Sequence, residues 1–306
     1  MSTKNLKSIR EGFGEGLVQA GIENENVVVL SADLRDSTKS DMFAEKFPER
    51  FIEVGVAEQN LASVASGMAA MGKIPFATSY AVFSPGRNWE QIRTTITYND
   101  ANVKIIGSHG GVVTGADGGS HQALEDIALA RVLPRMTVFS PADYEEAKQM
   151  TLEAVKIKGP VYIRLARISV PELDKEELSK EGDIVIIATG HLVHQAITAS
   201  QELRKEGINT KVINLSRIKP LDEKMILSLA KESKGIITVE DHQLAGGMGS
   251  AIAEFLSENY PTKIKFIAVR DQYGQSGTPE ELLKYYKLDA KAIKNVVYEL
   301  NTEIKN

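Results

Sequence analysis

One carboxylate, Glu58, stands at the head of "EQNLASVASGMAAMG", a run built mostly of Ala, Ser, Gly, Leu, Val and Met. A charged side chain entering so apolar a helix must face water or find a partner. Taken alone, Glu58 is accounted for as a helix N-terminal acid, because the helix dipole favours a negative charge in the first turn. The small residues behind it permit close approach of another backbone or subunit, and a carboxylate shut into such an interface could exchange a proton with a heterocycle. A second candidate set lies in "GSHGGVVTGADGGSHQALED", where His109, Asp117 and His121 stand among six glycines in twenty residues. Glycine lets a backbone approach a ligand closely, and His and Asp can bond sugar hydroxyls or move protons. Their spacing does not match a zinc site, so no metal ligand is assigned. Between the two sets, "PFATSYAVFSPGRNWEQIR" places Tyr80 and Phe83 near the end of a strand-like run, with Trp89 in the helix that follows. Such aromatics serve either as core or as a platform for a flat ligand.

Other clusters are given to packing. "EGFGEG" lies inside the first helical pattern with no strand ahead of it, and "AGGMGSA" at 245–251 lacks the full dinucleotide-loop spacing. His191, His194 and His242, in the second half of the chain, are read as structural.

The elements that must carry these residues alternate between helix and strand. "IREGFGEGLVQAG" reads as a helix leading to "NVVVLSAD", and "RFIEVG", "VKIIGSHGG", "MTVFSP" and "VYIRLA" follow as strands. Continuous apolar strands separated by helices imply a parallel sheet covered on both faces, with ligands at the carboxyl ends of its strands. After the charged stretch "ISVPELDKEELSKEGD" the alternation restarts with "DIVIIATG", "NTKVINLS", "KGIITVED" and "IKFIAVRD". The fold expected is α/β in two domains, 1–170 and 183–306 with a linker at 171–182, each a mainly parallel sheet with helices on both faces. The 306 residues are 42% apolar and 25% charged, as in globular proteins, and the net charge of −5 gives no case for nucleic acid or an anionic membrane. There is no cysteine, no signal-peptide core and no run long enough to span a bilayer, so a cytoplasmic location is expected.

Taken together and in order, "RFIEVGVAEQN", "SYAVF", "GSHGGVVTGADGGSHQALEDIALARVLP" and "GPVYIRLAR" closely resemble the pyrimidine-binding domain of transketolase. "DIVIIATG", "VINLSRIKPLD", "VEDHQLAGGMGSAIAEF" and "DQYGQSGTPEELL" resemble the transketolase C-terminal domain. The resemblance implies that Glu58 hydrogen-bonds the aminopyrimidine ring of thiamine diphosphate and promotes the imino tautomer that takes the thiazolium C2 proton. It implies that Tyr80 and Phe83 pack on that ring, with Asp33 close to the cofactor. Arg10, Ser37, His109 and Arg167 match positions that hold a sugar phosphate. Asp117 and His121 match groups that bond the sugar's hydroxyls, with His109 and His121 available for proton transfer. The residue types suit these tasks: Arg, His and a hydroxyl for a phosphate dianion, aromatic faces for a heterocycle, and a cofactor as the electron sink for breaking a C–C bond.

A complete transketolase carries a further domain ahead of these two, with a "GDG" motif and an Asn that hold the metal and the diphosphate. The "EGD" at Glu181 lies in the linker and lacks that context. The expectation is a C-terminal subunit of a split transketolase, inactive or nearly so alone. It would self-associate as a dimer and join a separate N-terminal subunit, which binds Mg2+, in a heterotetramer of two plus two. The rivals are a 1-deoxyxylulose-5-phosphate synthase-like enzyme, the beta subunit of a 2-oxo acid dehydrogenase, and a non-catalytic module of the same fold. "GSHGG" with His109 favours transketolase over the first, the His109, Asp117 and His121 set argues against the second, and Glu58 together with the polar set argues against the third.

Overall fold

The computed structural model describes residues 5–305. Its strands are β1 (Lys7–Ser8), β2 (Val27–Ser31), β3 (Phe51–Glu53), β4 (Ile74–Tyr80), β5 (Lys104–Ser108), β6 (Thr137–Phe139), β7 (Val161–Leu165), β8 (Ser169–Val170), β9 (Ile184–Ala188), β10 (Thr210–Asn214), β11 (Arg217–Lys219), β12 (Gly235–Gln243) and β13 (Ile264–Val269). A seven-stranded sheet runs β11-β6-β7-β5-β4-β2-β3, and a four-stranded sheet runs β10-β9-β12-β13. Every pairing in both is parallel except β11 on β6. Strands β2, β5, β7 and β9 are buried along their whole length, as the unbroken apolar runs require of a sheet covered on both sides. β1 and β8 form a small antiparallel pair.

Helix Ile9–Glu23 packs on helix Tyr144–Lys156 over one face of the large sheet. "EGFGEG" makes that packing possible: a Cβ on Gly12 would stand 2.1 Å from the Tyr144 carbonyl oxygen. Helix Glu58–Ala70 lies against β4 with Leu61, Ala62 and Ala65 buried. Its Gln59, Asn60, Ser63, Gly67 and Ala70 face outward, and a Cβ on Gly67 would meet nothing within 4 Å. Trp89 begins a short helix and donates its indole N–H to the Leu129 carbonyl at 2.8 Å, which assigns it to packing.

The two halves of the chain share their cores. One apolar cluster joins Phe139, Ala142 and Leu165 to Leu192, Val193 and Leu283; the other joins Val138 and Tyr162 to Leu215, Ile218 and Met248. β11, from the second half, completes the edge of the first half's sheet, which sequence periodicity gave no reason to expect. Among the described residues, no helix is long and apolar enough to cross a membrane.

Candidate active site

Parallel register brings the candidate residues to one end of the large sheet. Tyr80, the last residue of β4, is the Cα partner of Ser108 at the end of β5, and Ser108 is the partner of Leu165 at the end of β7. His109 therefore follows directly beside Tyr80, and Arg167 emerges two residues beyond Leu165. Ser31, ending β2, pairs with Glu53, ending β3, so the loops bearing Asp33, Ser37 and Glu58 open at the same end.

Glu58 is the first residue of its helix and is only 4% exposed. Arg87 Nε lies 3.9 Å from its Oε2, and Asn88 donates to the Glu58 carbonyl at 3.0 Å, fixing the helix start. Tyr80 and Phe83 lie nearly parallel, 9° between planes with centroids 6.0 Å apart. Tyr80 also stacks on His109 at 3.7 Å, and His121 meets the Phe83 ring edge-on at 5.5 Å. These four side chains thus make a continuous wall of flat groups at the sheet end that also carries the buried Glu58 carboxylate. That wall and acid suit an aminopyrimidine, offering it aromatic surface and one acidic partner.

The imidazoles are set by neighbouring hydroxyls: Ser108 Oγ meets His109 Nδ1 at 2.8 Å, and Ser120 Oγ meets His121 Nδ1 at 2.9 Å. Burial, reinforced by the Arg10 and Arg167 charges, pushes the His109 pKa down to about 3, so its ring is neutral at pH 7. Arg10 donates Nη1 to the Ser37 carbonyl at 2.6 Å, and its Nε is buried with no hydrogen-bond partner. Burial and the Arg167 charge lower the Arg10 pKa. Two guanidiniums and an unpartnered donor make this corner a favourable place for an anion. Ser37 meets Arg10 through its backbone rather than its hydroxyl. Arg167 Nη1 pairs with Asp117 at 2.9 Å and donates to the Thr114 carbonyl at 3.2 Å. Asp33 is exposed, with φ of 59°, and its N–H donates to Glu53 Oε1 at 2.7 Å, the oxygen that also accepts from Gly55 at 2.9 Å. Among the described residues, no group of three or more His, Cys, Asp or Glu is arranged to hold a metal.

Several residues at this site escaped the sequence reading. Glu53 ties the Asp33 loop to the turn before Glu58, and Thr114 Oγ1 donates to the His109 carbonyl at 2.7 Å. Asp241 accepts the Val112 N–H at 3.0 Å and meets His191 Nε2 at 3.0 Å, so one of the structural histidines sits directly beneath the His109 loop. His194 Nε2 meets the Ala142 carbonyl oxygen at 3.1 Å, and His242 Nδ1 meets that of Gln243 at 2.7 Å. "AGGMGSA" packs as expected: the Glu240 carboxylate accepts from Met248 at 2.7 Å and Gly249 at 2.9 Å, where a Cβ on Gly247 would stand 2.1 Å from it.

Residues 6–172 match the transketolase pyrimidine-binding domain, and residues 175–293 match the transketolase C-terminal domain. A transketolase C-terminal section from Methanocaldococcus jannaschii is 43% identical, over 97% of this chain and 98% of that protein. Human transketolase is 35% identical over 96% of this chain, which spans 49% of the human protein. A solved structure described as a split gene transketolase, inactive beta4 tetramer, superposes with a TM-score of 0.88 at 43% identity, covering 96% of this chain and 98% of that one. On a relative this similar along nearly its whole length, and on two family domains in sequence, the chain belongs to the transketolase family.

Proposed function

We propose that this chain is the C-terminal subunit of a split transketolase, which moves a two-carbon ketol unit from a ketose phosphate to an aldose phosphate. The observation that carries the reading is the buried Glu58 at the same sheet end as the nearly parallel Tyr80 and Phe83 rings and as Arg10 and Arg167. Thiamine diphosphate, when bound, supplies the electron sink for cleaving a C–C bond next to a carbonyl. Glu58 would hold a proton between its carboxylate and the pyrimidine, Tyr80 and Phe83 would flank the ring, and Asp33 would stand near the cofactor. Arg10, Ser37, His109 and Arg167 would hold the sugar phosphate. Asp117 and His121 would bond its hydroxyls, and His109 and His121 are the imidazoles we assign to proton transfer.

The partner is a separate N-terminal subunit that holds Mg2+ and the diphosphate. The relative named as a C-terminal section, of which this chain covers 98%, supports that division, as does the solved tetramer described as inactive. We place the assembly in the cytoplasm as a heterotetramer of two plus two, with the outward face of helix Glu58–Ala70 in the contact between copies. The domain boundaries are 1–170 and 183–306.

Mixing the chain with its N-terminal subunit, thiamine diphosphate, Mg2+, xylulose 5-phosphate and ribose 5-phosphate should yield sedoheptulose 7-phosphate. Absence of ketol transfer in that mixture, with both chains folded and associated, would remove the reading.

A further inference from the structure

After β5 the chain must turn sharply, and it does so at a cost: His109 has φ of 60° and Gly111 φ of 87°. A non-glycine residue in the left-handed region is strained, and it persists there only when its surroundings over-determine it. The other half of the chain provides those surroundings. Asp241 is 1% exposed; its Oδ1 accepts the Val112 N–H at 3.0 Å and its Oδ2 meets His191 Nε2 at 3.0 Å. A Cβ on Gly111 would lie 2.0 Å from Oδ2, so position 111 is shaped to fit over this carboxylate. Although burial alone would raise it, His191, the Arg164 charge and the Val112 N–H hold the Asp241 carboxyl below its usual range.

The support continues on both sides. The Asp241 carbonyl accepts from Arg164 Nη2 at 2.7 Å, and Arg164 Nε is paired with Asp126 at 2.9 Å. The Val112 carbonyl accepts from Gln122 Nε2 at 3.1 Å, and the same amide reaches the Gln275 carbonyl at 2.9 Å. Both backbone groups of Val112 are therefore fastened, directly or through Gln122, to the second half of the chain.

We propose that Asp241, braced by His191, is a positioning residue that sets the His109 loop from the opposite half of the molecule. Its oxygen fixes the Val112 N–H, which holds the turn, which keeps the His109 ring stacked on Tyr80 and out of water. The consequence for catalysis rests on the transfer reaction proposed above; the consequence for the loop does not. Misplacing a substrate-contacting group by about 1 Å can cost on the order of 100-fold in rate.

The test uses the full chain with 13C-labelled histidine, the His109 signal being assigned with His109→Gln. In the wild type that signal should stay flat between pH 5 and 8. In Asp241→Ala it should titrate with a midpoint moving toward the free-imidazole value, whereas Asp241→Asn, which keeps an oxygen for Val112, should remain flat. With the N-terminal subunit added, Asp241→Ala should lose roughly 10- to 100-fold in kcat and Asp241→Asn only a few-fold. A folded Asp241→Ala with a flat His109 signal and kcat within about twofold of wild type would overturn the proposal. Should Asp241→Ala fail to fold, His191→Ala and His191→Gln replace it. Titration in the first that is cured in the second supports the bracing, and no change in either overturns it. A wild-type assembly without ketol transfer would sink the transketolase reading while leaving the imidazole measurement to decide this one.

Discussion

Arg167 Nη1 lies 2.9 Å from the Asp117 carboxylate, so a group matched to a phosphate and a group matched to a sugar hydroxyl are joined in one ion pair. Both side chains are well exposed, 42% and 37%, and such pairs contribute at most about 1 kcal/mol. The pair is therefore easily rearranged onto a substrate, and Asp117 tempers a corner in which Arg167 lies close enough to lower the Arg10 pKa.

Arg167→Ala should raise KM for phosphorylated aldoses by roughly 10- to 100-fold, the worth of one or two charge-assisted hydrogen bonds. KM for unphosphorylated acceptors should stay within about threefold of wild type by the same reasoning. Equal losses on both classes, in steady-state kinetics of the assembled enzyme, would deny Arg167 its phosphate. Asp117→Asn should leave thermal stability almost unchanged, because the exposed pair contributes so little.

Glu58→Ala should lower kcat by about 100-fold or more, the range for losing a positioned acid–base group, while circular dichroism and the melting temperature remain close to wild type. The fold should tolerate the change because Arg87, the partner of Glu58, is largely exposed and can be solvated. Full activity in Glu58→Ala would refute the assigned role.

Histidine 109 gives the chain a pH signature. Its folded pKa lies near 3 against 6.5 for the free group, so below pH 6.5 the unfolded chain binds a proton that the folded chain does not. Stability from this residue is complete above pH 6.5 and falls by about 1.4 kcal/mol per pH unit toward 3. Urea unfolding at pH 7 and pH 5 should show that loss in the wild type. It should be reduced in His109→Asn, whose side chain does not titrate and whose backbone tolerates a positive φ.

Lys104, at the start of β5, is fully buried and donates to Asn102 Oδ1 at 2.6 Å and to the carbonyls of Ile157 and Gly159 at 2.7 and 2.9 Å. Lys104→Met would leave those oxygens unmet and should cost about 1–3 kcal/mol in chemical denaturation. Burial lowers the Lys104 pKa to about 7 from 10.5, so above pH 7 the unfolded chain holds the extra proton. Stability should rise with pH between those values in the wild type, and this residue's share of the rise should vanish in Lys104→Met.

The sheet end that gathers the candidate residues was legible because strand ends in a parallel sheet share one rim, and each candidate followed an apolar run. Glu58, Tyr80, Phe83, His109 and His121 stood out that way, whereas Arg10, in the first helix, and the phosphate role of Arg167 came only from the resemblance to the transketolase family. Asp241 and His191 were not, since their importance depends on how one half packs against the other, and periodicity carries no such information. Glu53 was hidden inside a strand pattern, where an acid at the last position reads as an ordinary exposed end. The pairing of Asp117 with Arg167 joins residues fifty apart through a loop whose path is set by glycines, and spacing alone could not foretell it. Ser37 contributes a carbonyl to Arg10, a role available to any residue at that position.

Strand β11 leaves the second half of the chain and closes the edge of the first half's sheet, beside β6. A fragment ending at the linker would therefore expose the backbone donors and acceptors of β6 and shed the apolar cover contributed by Leu215 and Ile218. Open edges of this kind recruit other strands, so such a fragment should aggregate instead of standing alone. The units marked by two family domains and the unit that should melt cooperatively are then different objects: two domains by sequence, one folded body by shared core and shared sheet edge.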